Sequence, residues 1–264
     1  MTDHTRPIRL LVFDIDGVLT DGEVAALDLD LLAQLAALNR LACENQTFPA
    51  VTVCTGRPAP YMEAILQAID GHLPGIFENG AGLYVPETYQ FLPHPAIGSG
   101  SQMRAIQQRL IDTVIKDGLA YFQPGKEFTL TLFAYDSADT DKLVDWVTAV
   151  IGDLVKTVDL VYSVSCLNII PRGIDKGQGL AFLADQIGYS FDEMLGVGDS
   201  DVDPPFLALV GHSAAPANAS AAIKQMVDYV SPHQSSDGVR DILRHFGVNK
   251  KLNHKDHQER KEKQ

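Results

Sequence analysis

Residues Ile8 to Phe13 (IRLLVF) are almost continuously apolar, and the run stops at Asp14-Ile15-Asp16-Gly17. A short strand that is apolar on both faces must be covered on both, as inner strands of a parallel sheet are by flanking helices. Comparable runs follow at Ala50 to Cys54 (AVTVC), Gly75 to Phe77 (GIF), Met194 to Val197 (MLGV), His212 to Ala215 and Tyr229-Val230. Helical stripes lie between them. Leu31, Leu35, Leu38 and Leu41 recur at helical spacing behind Asp28 or Asp30 as the cap. Further helices are predicted over Ala59 to Ile69, Lys176 to Ile187, a short piece after Pro204, Asn218 to Met226, and a last one striped by Val239, Ile242, Leu243 and Phe246. Strands alternating with helices predict an α/β fold with a Rossmann-like parallel sheet.

The middle of the chain breaks this rhythm. Phe128 to Tyr135 (FTLTLFAY) alternates apolar residues with Thr and follows the turn Pro124-Gly125, a hairpin signal. Helices are expected over Ser101 to Lys116 and Asp139 to Ile151, and more strand over Val158 to Ile170. Hairpins with two helices predict an α+β module inserted into the α/β domain, with Trp146 in its core. The expected division is residues 1–82 and 172–248 for the core, 83–171 for the insert, and 249–264 for a charged, solvated tail.

The 264 residues carry a net charge of −13, which argues against a nucleic-acid partner. The tail from Asn249 is locally basic. No apolar run approaches the roughly 18 residues of a membrane span. Met1 to Leu10 lacks a signal-peptide pattern, and Cys43, Cys54 and Cys166 form no CxxC. A reduced, cytoplasmic protein without a zinc site is expected.

The acids and other polar groups fall where those strands end. In open parallel sheets ligands sit beyond the carboxyl ends of the strands. Asp14 and Asp16 follow the first strand. Thr55-Gly56-Arg57 follows the second and precedes a helix, a placement suited to an anion. Lys176 opens a helix, where a cation opposes the helix dipole unless an anion shares the spot. Gly198-Asp199-Ser200-Asp201-Val202-Asp203 follows another strand. Taken singly, each has a plain explanation: turn capping by the acids, capping by Thr55, a solvated Arg57, an exposed Lys176. Should the first and fourth strands be neighbours, Asp14, Asp16, Asp199 and Asp203 converge. Like charges so placed raise one another's pKa, and a divalent cation relieves the conflict.

In this order the segments resemble the four motifs of the haloacid dehalogenase (HAD) superfamily: Phe13 to Thr20, Thr55 to Arg57, Lys176, and Gly198 to Asp203. The insert, between Thr55 and Lys176, is similar to the cap of the Cof-type and sucrose-phosphate phosphatase-like subgroup, to which Glu78-Asn79-Gly80-Ala81 looks like the lead-in turn. The resemblance implies a HAD core with an α+β cap, and Mg²⁺-dependent hydrolysis of a small phosphorylated metabolite, a sugar phosphate or phosphoglycolate-like compound, through an aspartyl-phosphate. It implies Asp14 as nucleophile and Asp16 as general acid and base. Thr55, Gly56, Lys176 and Asn218 would bind phosphate, Asp14, Asp16 and Asp199 the metal, with Asp203 in support. Val18 and Val202 depart from the pattern, since relatives often have Thr and Asn there. A monomer or weak dimer is expected. The competing reading is a non-catalytic protein that binds a phosphometabolite on the same scaffold; a phosphomutase would carry its cap between the first two motifs. Lys126, Arg104, Arg109 and His94 are candidate cap contacts, each more simply a surface residue.

Overall fold

The computed structural model describes residues 7–162 and 165–248. The expectation for the tail from Asn249 lies outside the described residues. Five parallel strands form the central sheet: β1 (Leu10–Phe13), β2 (Ala50–Val53), and, late in the chain, β10 (Met194–Val197), β11 (His212–Ala215) and β12 (Tyr229–Val230). Their order is β12-β11-β10-β1-β2. The chain therefore builds outward in one direction from β1 and returns to build in the other from β10. The crevice between β1 and β10 is the switch point where such sheets bind ligands.

Alternate strand residues feed two different cores. Leu11, Phe13, Val51, Val53, Leu195 and Val197 face one side. There they meet α1 (Leu29–Glu44), α2 (Ala59–Ala68) and α8 (Ser235–His245). Leu10, Val12, Ala50 and Met194 face the other. That side is covered by α5 (Lys176–Ile187), α6 (Pro204–Leu207) and α7 (Ala221–Met226). The period of two along each strand thus explains why the runs are apolar throughout. Asp28 caps α1, its carboxylate accepting from the Leu31 amide at 2.9 Å.

Register places the strand ends side by side. Phe13 is level with Val53 on one neighbour and Val197 on the other. Asp14, one residue on, lies between Cys54-Thr55 and Gly198-Asp199. The short strand β3 (Gly75–Phe77) joins β2 through a parallel bridge from Cys54 to Ile76, and turns into an antiparallel pair, β4 (Gly82–Val85) and β5 (Gln90–Pro93). This hairpin falls within the stretch that the sequence division assigns to the insert. Its apolar side chains Leu83 and Leu92 nevertheless pack with Leu10, Val12 and Ile76 of the core.

The insert has its own sheet, in the order β6 (Ala120–Phe122), β7 (Leu130–Ala134), β9 (Leu167–Pro171), β8 (Val158–Tyr162), antiparallel throughout. Two helices, α3 (Ser101–Leu110), which continues as a π-turn over Ile111–Ile115, and α4 (Leu143–Ile151), cover one face. Leu132, Leu167 and Ile169 meet Ile106, Leu110 and Val147 there, with Trp146 at the margin. The other face, carrying Thr131, Phe133 and Asn168, turns toward the carboxyl ends of the central strands. No helix among the described residues is long and apolar enough to cross a membrane.

Candidate active site

Asp14 leaves β1 almost fully buried. Its Oδ1 accepts from the Ile15 amide at 2.7 Å, and its Oδ2 meets Lys176 Nζ at 2.9 Å. Lys176, at the first position of α5, also reaches Asp203 Oδ1 at 2.6 Å. Asp203 is fully buried, and its other oxygen accepts from the amides of Asp199 and Ser200 and from the Ser200 hydroxyl. This arrangement shapes the loop after β10 and aims Asp199 toward Asp14. Ligand oxygens of Asp14, Asp199 and Asp203 lie within 4.8 Å of one another.

Three carboxylates against one ammonium leave the cluster anionic. Burial pushes the Asp14 carboxyl well above its ordinary range; Lys176 opposes this, while Asp203 and Asp199 add to it. Asp199 is pushed up to about 7, chiefly by burial and then by the charge of Asp203. Burial works against the charge on Lys176, but Asp14 and Asp203 outweigh it and raise its pKa. Asp199 Oδ1 is buried and has no hydrogen-bond partner among the described residues. An orphaned carboxylate oxygen in an all-oxygen cluster fits a hard divalent cation, which would supply the missing positive charge. Gly17 makes this approach possible. It has φ +81°, and a Cβ there would come within 2.0 Å of Asp199 Oδ2.

Asp16 turns away from that cluster. Its carboxylate is gripped by Arg57, which also donates to the Glu23 carbonyl at 2.6 Å and lies over the Tyr61 ring. Thr55 is fully buried and its hydroxyl accepts from the Arg57 amide at 3.1 Å, so it shapes the loop, while Gly56 lines the cavity. Asn218 also lines the cavity, but its side chain bridges two segments: Nδ2 donates to the Gly17 carbonyl and Oδ1 accepts from the Ser235 amide, each at 2.8 Å. Val202 stands in the cavity wall beside Ser200 and Asp201.

Three residues matter here to which the sequence assigned weaker or different roles. Arg57 holds Asp16, although the sequence made it a solvated helix-start residue. Lys126 crosses from the insert to the Gly56 carbonyl at 2.9 Å. Glu78 is fully buried with φ +50°; its carboxylate accepts from the amides of Glu127, Phe128 and Thr129 and from the Thr129 hydroxyl. The one available signal for Arg57 was register, since the loop after β2 must lie level with Asp16. Of the other cap candidates, Arg104 bonds the Ser99 carbonyl, Arg109 the Ile151 carbonyl, and His94 caps the turn at Ala96; none of the three lines the cavity.

Between the two modules lies a cavity of ≈ 580 Å³, with Asp14, Asp16, Lys176 and Asp199 on one wall and the open face of the insert's sheet on the other. A switch-point crevice holding buried acids beneath an inserted module marks an enzyme whose chemistry takes place under a cap. The sequence pattern of the haloacid dehalogenase-like hydrolases matches residues 102–243, just over half of the chain, and the chain belongs to that family. It is a hydrolase of that family, with the α/β fold its solved relatives share. A phosphoglycolate phosphatase from Halorubrum lacusprofundi is 27% identical over 235 residues, covering 88% of this chain and 95% of that protein. A crystal structure of a Thermoplasma acidophilum protein superposes with a TM-score of 0.72 at 22% identity, covering 92% of this chain and all of that one. A haloacid dehalogenase-like hydrolase from Bacteroides thetaiotaomicron gives 0.69 at 16% identity, over 90% and 99%.

Proposed function

We propose that the chain is a Mg²⁺-dependent phosphomonoester hydrolase that acts on a small phosphorylated metabolite, of the sugar-phosphate or phosphoglycolate kind, through an aspartyl-phosphate. The observation that carries this reading is Asp14: a buried carboxylate at the switch point, oriented by the Ile15 amide and Lys176, beside an Asp199 oxygen with no partner among the described residues. The phosphoglycolate phosphatase named above supports the substrate kind.

An oxygen of Asp14 attacks phosphorus as the ester P–O bond breaks, and Asp16 gives the leaving alkoxide its proton. Asp16 then takes a proton from the water that attacks the phosphoryl group, and the new P–O bond releases Asp14. Lys176 stays within reach of the transferred oxygens and offsets their charge, with the Gly56 loop on the opposite side. Asp14, Asp199 and the Asp16 main-chain carbonyl are the proposed holders of Mg²⁺, with Asp203 ordering the Asp199 loop. When bound, the ion supplies the positive charge that lets one anion approach another. The insert keeps bulk water from the intermediate.

Asp14→Asn tests the reading. Hydrolysis of p-nitrophenyl phosphate is expected to fall by about 10³-fold or more, with the circular dichroism spectrum unchanged. Chelation should stop the wild type and added Mg²⁺ restore it. Substantial turnover by Asp14→Asn, or indifference to chelation, would reject the assignment.

A further inference from the structure

The cations on the core wall of the cavity are already committed. Lys176 lies between Asp14 and Asp203, and Arg57 is held by Asp16. The cap wall differs. Lys126 projects into the cavity from the turn between β6 and β7, half-buried, and its polar partner among the described residues is the Gly56 carbonyl. An ammonium has three donors, so two remain for a ligand. The acid nearest in charge, Glu78, spends both oxygens on the Glu127–Thr129 backbone and the Thr129 hydroxyl. Burial pushes the Lys126 amine down to about 8 despite Glu78, the mark of a cation that lacks a full counter-charge.

Two of the other polar side chains on this wall, Thr131 and Asn168, are already occupied. Thr131 donates its hydroxyl to Asn168 Oδ1 at 2.7 Å, and the Asn168 amide turns back toward Cys166. One uncompensated ammonium matches one negative charge. Glu23 and Asp201 also line the cavity and oppose a second dianion.

We propose that Lys126 binds a carboxylate carried by the leaving alcohol, so that the site selects phosphate monoesters of small hydroxy acids over those of neutral alcohols of equal size. The proposal rests on the phosphatase reading above and narrows its substrate class. Lys126 is here a specificity-determining residue, and its contact with Gly56 ties recognition in the cap to the loop beside the reacting phosphate.

The test compares two probes that differ at one end, phosphoglycolate and 2-hydroxyethyl phosphate, with ethane-1,2-diol bisphosphate as a third, on the full chain with Mg²⁺. The wild type is expected to favour phosphoglycolate over 2-hydroxyethyl phosphate in kcat/KM by about 10- to 100-fold, the range of a hydrogen bond to a charged group, mostly through KM. Lys126→Met should bring that ratio to within about threefold, and Lys126→Arg should restore part of it. Lys126→Gln serves as a second variant, and the wild-type ratio is decisive even if neither neutral variant folds. A wild type without preference between the first two probes, one that prefers the bisphosphate, or a folded Lys126→Met that keeps the preference would each overturn the proposal. Failure to hydrolyse any of the probes or p-nitrophenyl phosphate would instead overturn the phosphatase reading and this proposal with it.

Discussion

Arg57 grips Asp16 with two parallel hydrogen bonds, Nε to Oδ2 at 2.7 Å and Nη2 to Oδ1 at 2.8 Å. A fork of this kind fixes both the position and the plane of a carboxylate, which a single ammonium does not. If Asp16 protonates the leaving oxygen, loosening the fork harms substrates in proportion to their need for that proton. Arg57→Lys is expected to lower kcat by about tenfold on an alkyl phosphate, a fraction of what general acid catalysis supplies. The loss on p-nitrophenyl phosphate should be smaller, since p-nitrophenolate departs without protonation. Equal losses on both would show that Arg57 does not act through Asp16.

Much of the core was legible because its signals are local. A strand buried on both faces writes itself as an apolar run, and Lys176–Ile187 and Met194–Val197 carry the bounds read from sequence. Strands β4, β5 and β6 are absent from the sequence reading: each has only three or four residues, too few to show a period, and Gln90–Pro93 is largely exposed. The contacts that Arg57 and Lys126 make were illegible for a different reason. Their partners lie 41 and 70 positions away, and the second contact exists only once the cap is seated. The sequence predicts that Asp14, Asp16, Asp199 and Asp203 gather if their two strands are neighbours; the strands pair in register, and Asp14, Asp199 and Asp203 meet while the Asp16 carboxylate goes to Arg57.

The raised pKa of Asp199 sets a pH dependence whose sign can be worked out. Between about pH 4 and pH 7 the folded chain keeps a proton that the unfolded chain has released. Without divalent cation, stability should therefore fall as pH rises through that window, by roughly 1–4 kcal/mol, and level off above it. Asp14, shifted in the same direction, adds to the trend. Mg²⁺ competes with that proton, so its gain in melting temperature should be larger at pH 8 than at pH 5.5. Asp199→Asn should flatten both effects. A Mg²⁺ shift independent of pH, or one that persists in Asp199→Asn, would remove Asp199 from the metal site.

Gly17 offers a steric test of the same cluster. Gly17→Ala adds a Cβ at φ +81° where the Asp199 carboxylate already stands. Strain and overlap should cost about 1–3 kcal/mol, and the carboxylate must swing away from Asp14. Calorimetry in the presence and absence of Mg²⁺ is expected to show loss of the metal-dependent shift in a folded protein. A full Mg²⁺ response in Gly17→Ala would mean that the close approach of Asp199 to Gly17 is not needed for metal binding.

Glu78 fastens the cap strand to the core, and Trp146 makes this measurable. The chain has one tryptophan, and it packs against the cap cluster. Its fluorescence therefore follows the cap while far-ultraviolet circular dichroism follows the whole chain. The Glu78 carboxylate satisfies three backbone amides and a hydroxyl at the entry to β7. Glu78→Ala strands these donors at a buried junction and should cost about 3–5 kcal/mol. Glu78→Gln keeps the size, but at least one amide must face an NH₂ group, for a smaller cost of about 1–2 kcal/mol. Because the lost bonds join two modules, each with its own apolar cluster, the urea transition seen by Trp146 in Glu78→Ala should precede the one seen by circular dichroism. Coincident transitions at the wild-type midpoint would show that the cap is held by its other contacts, leaving Glu78 as an ordinary turn residue.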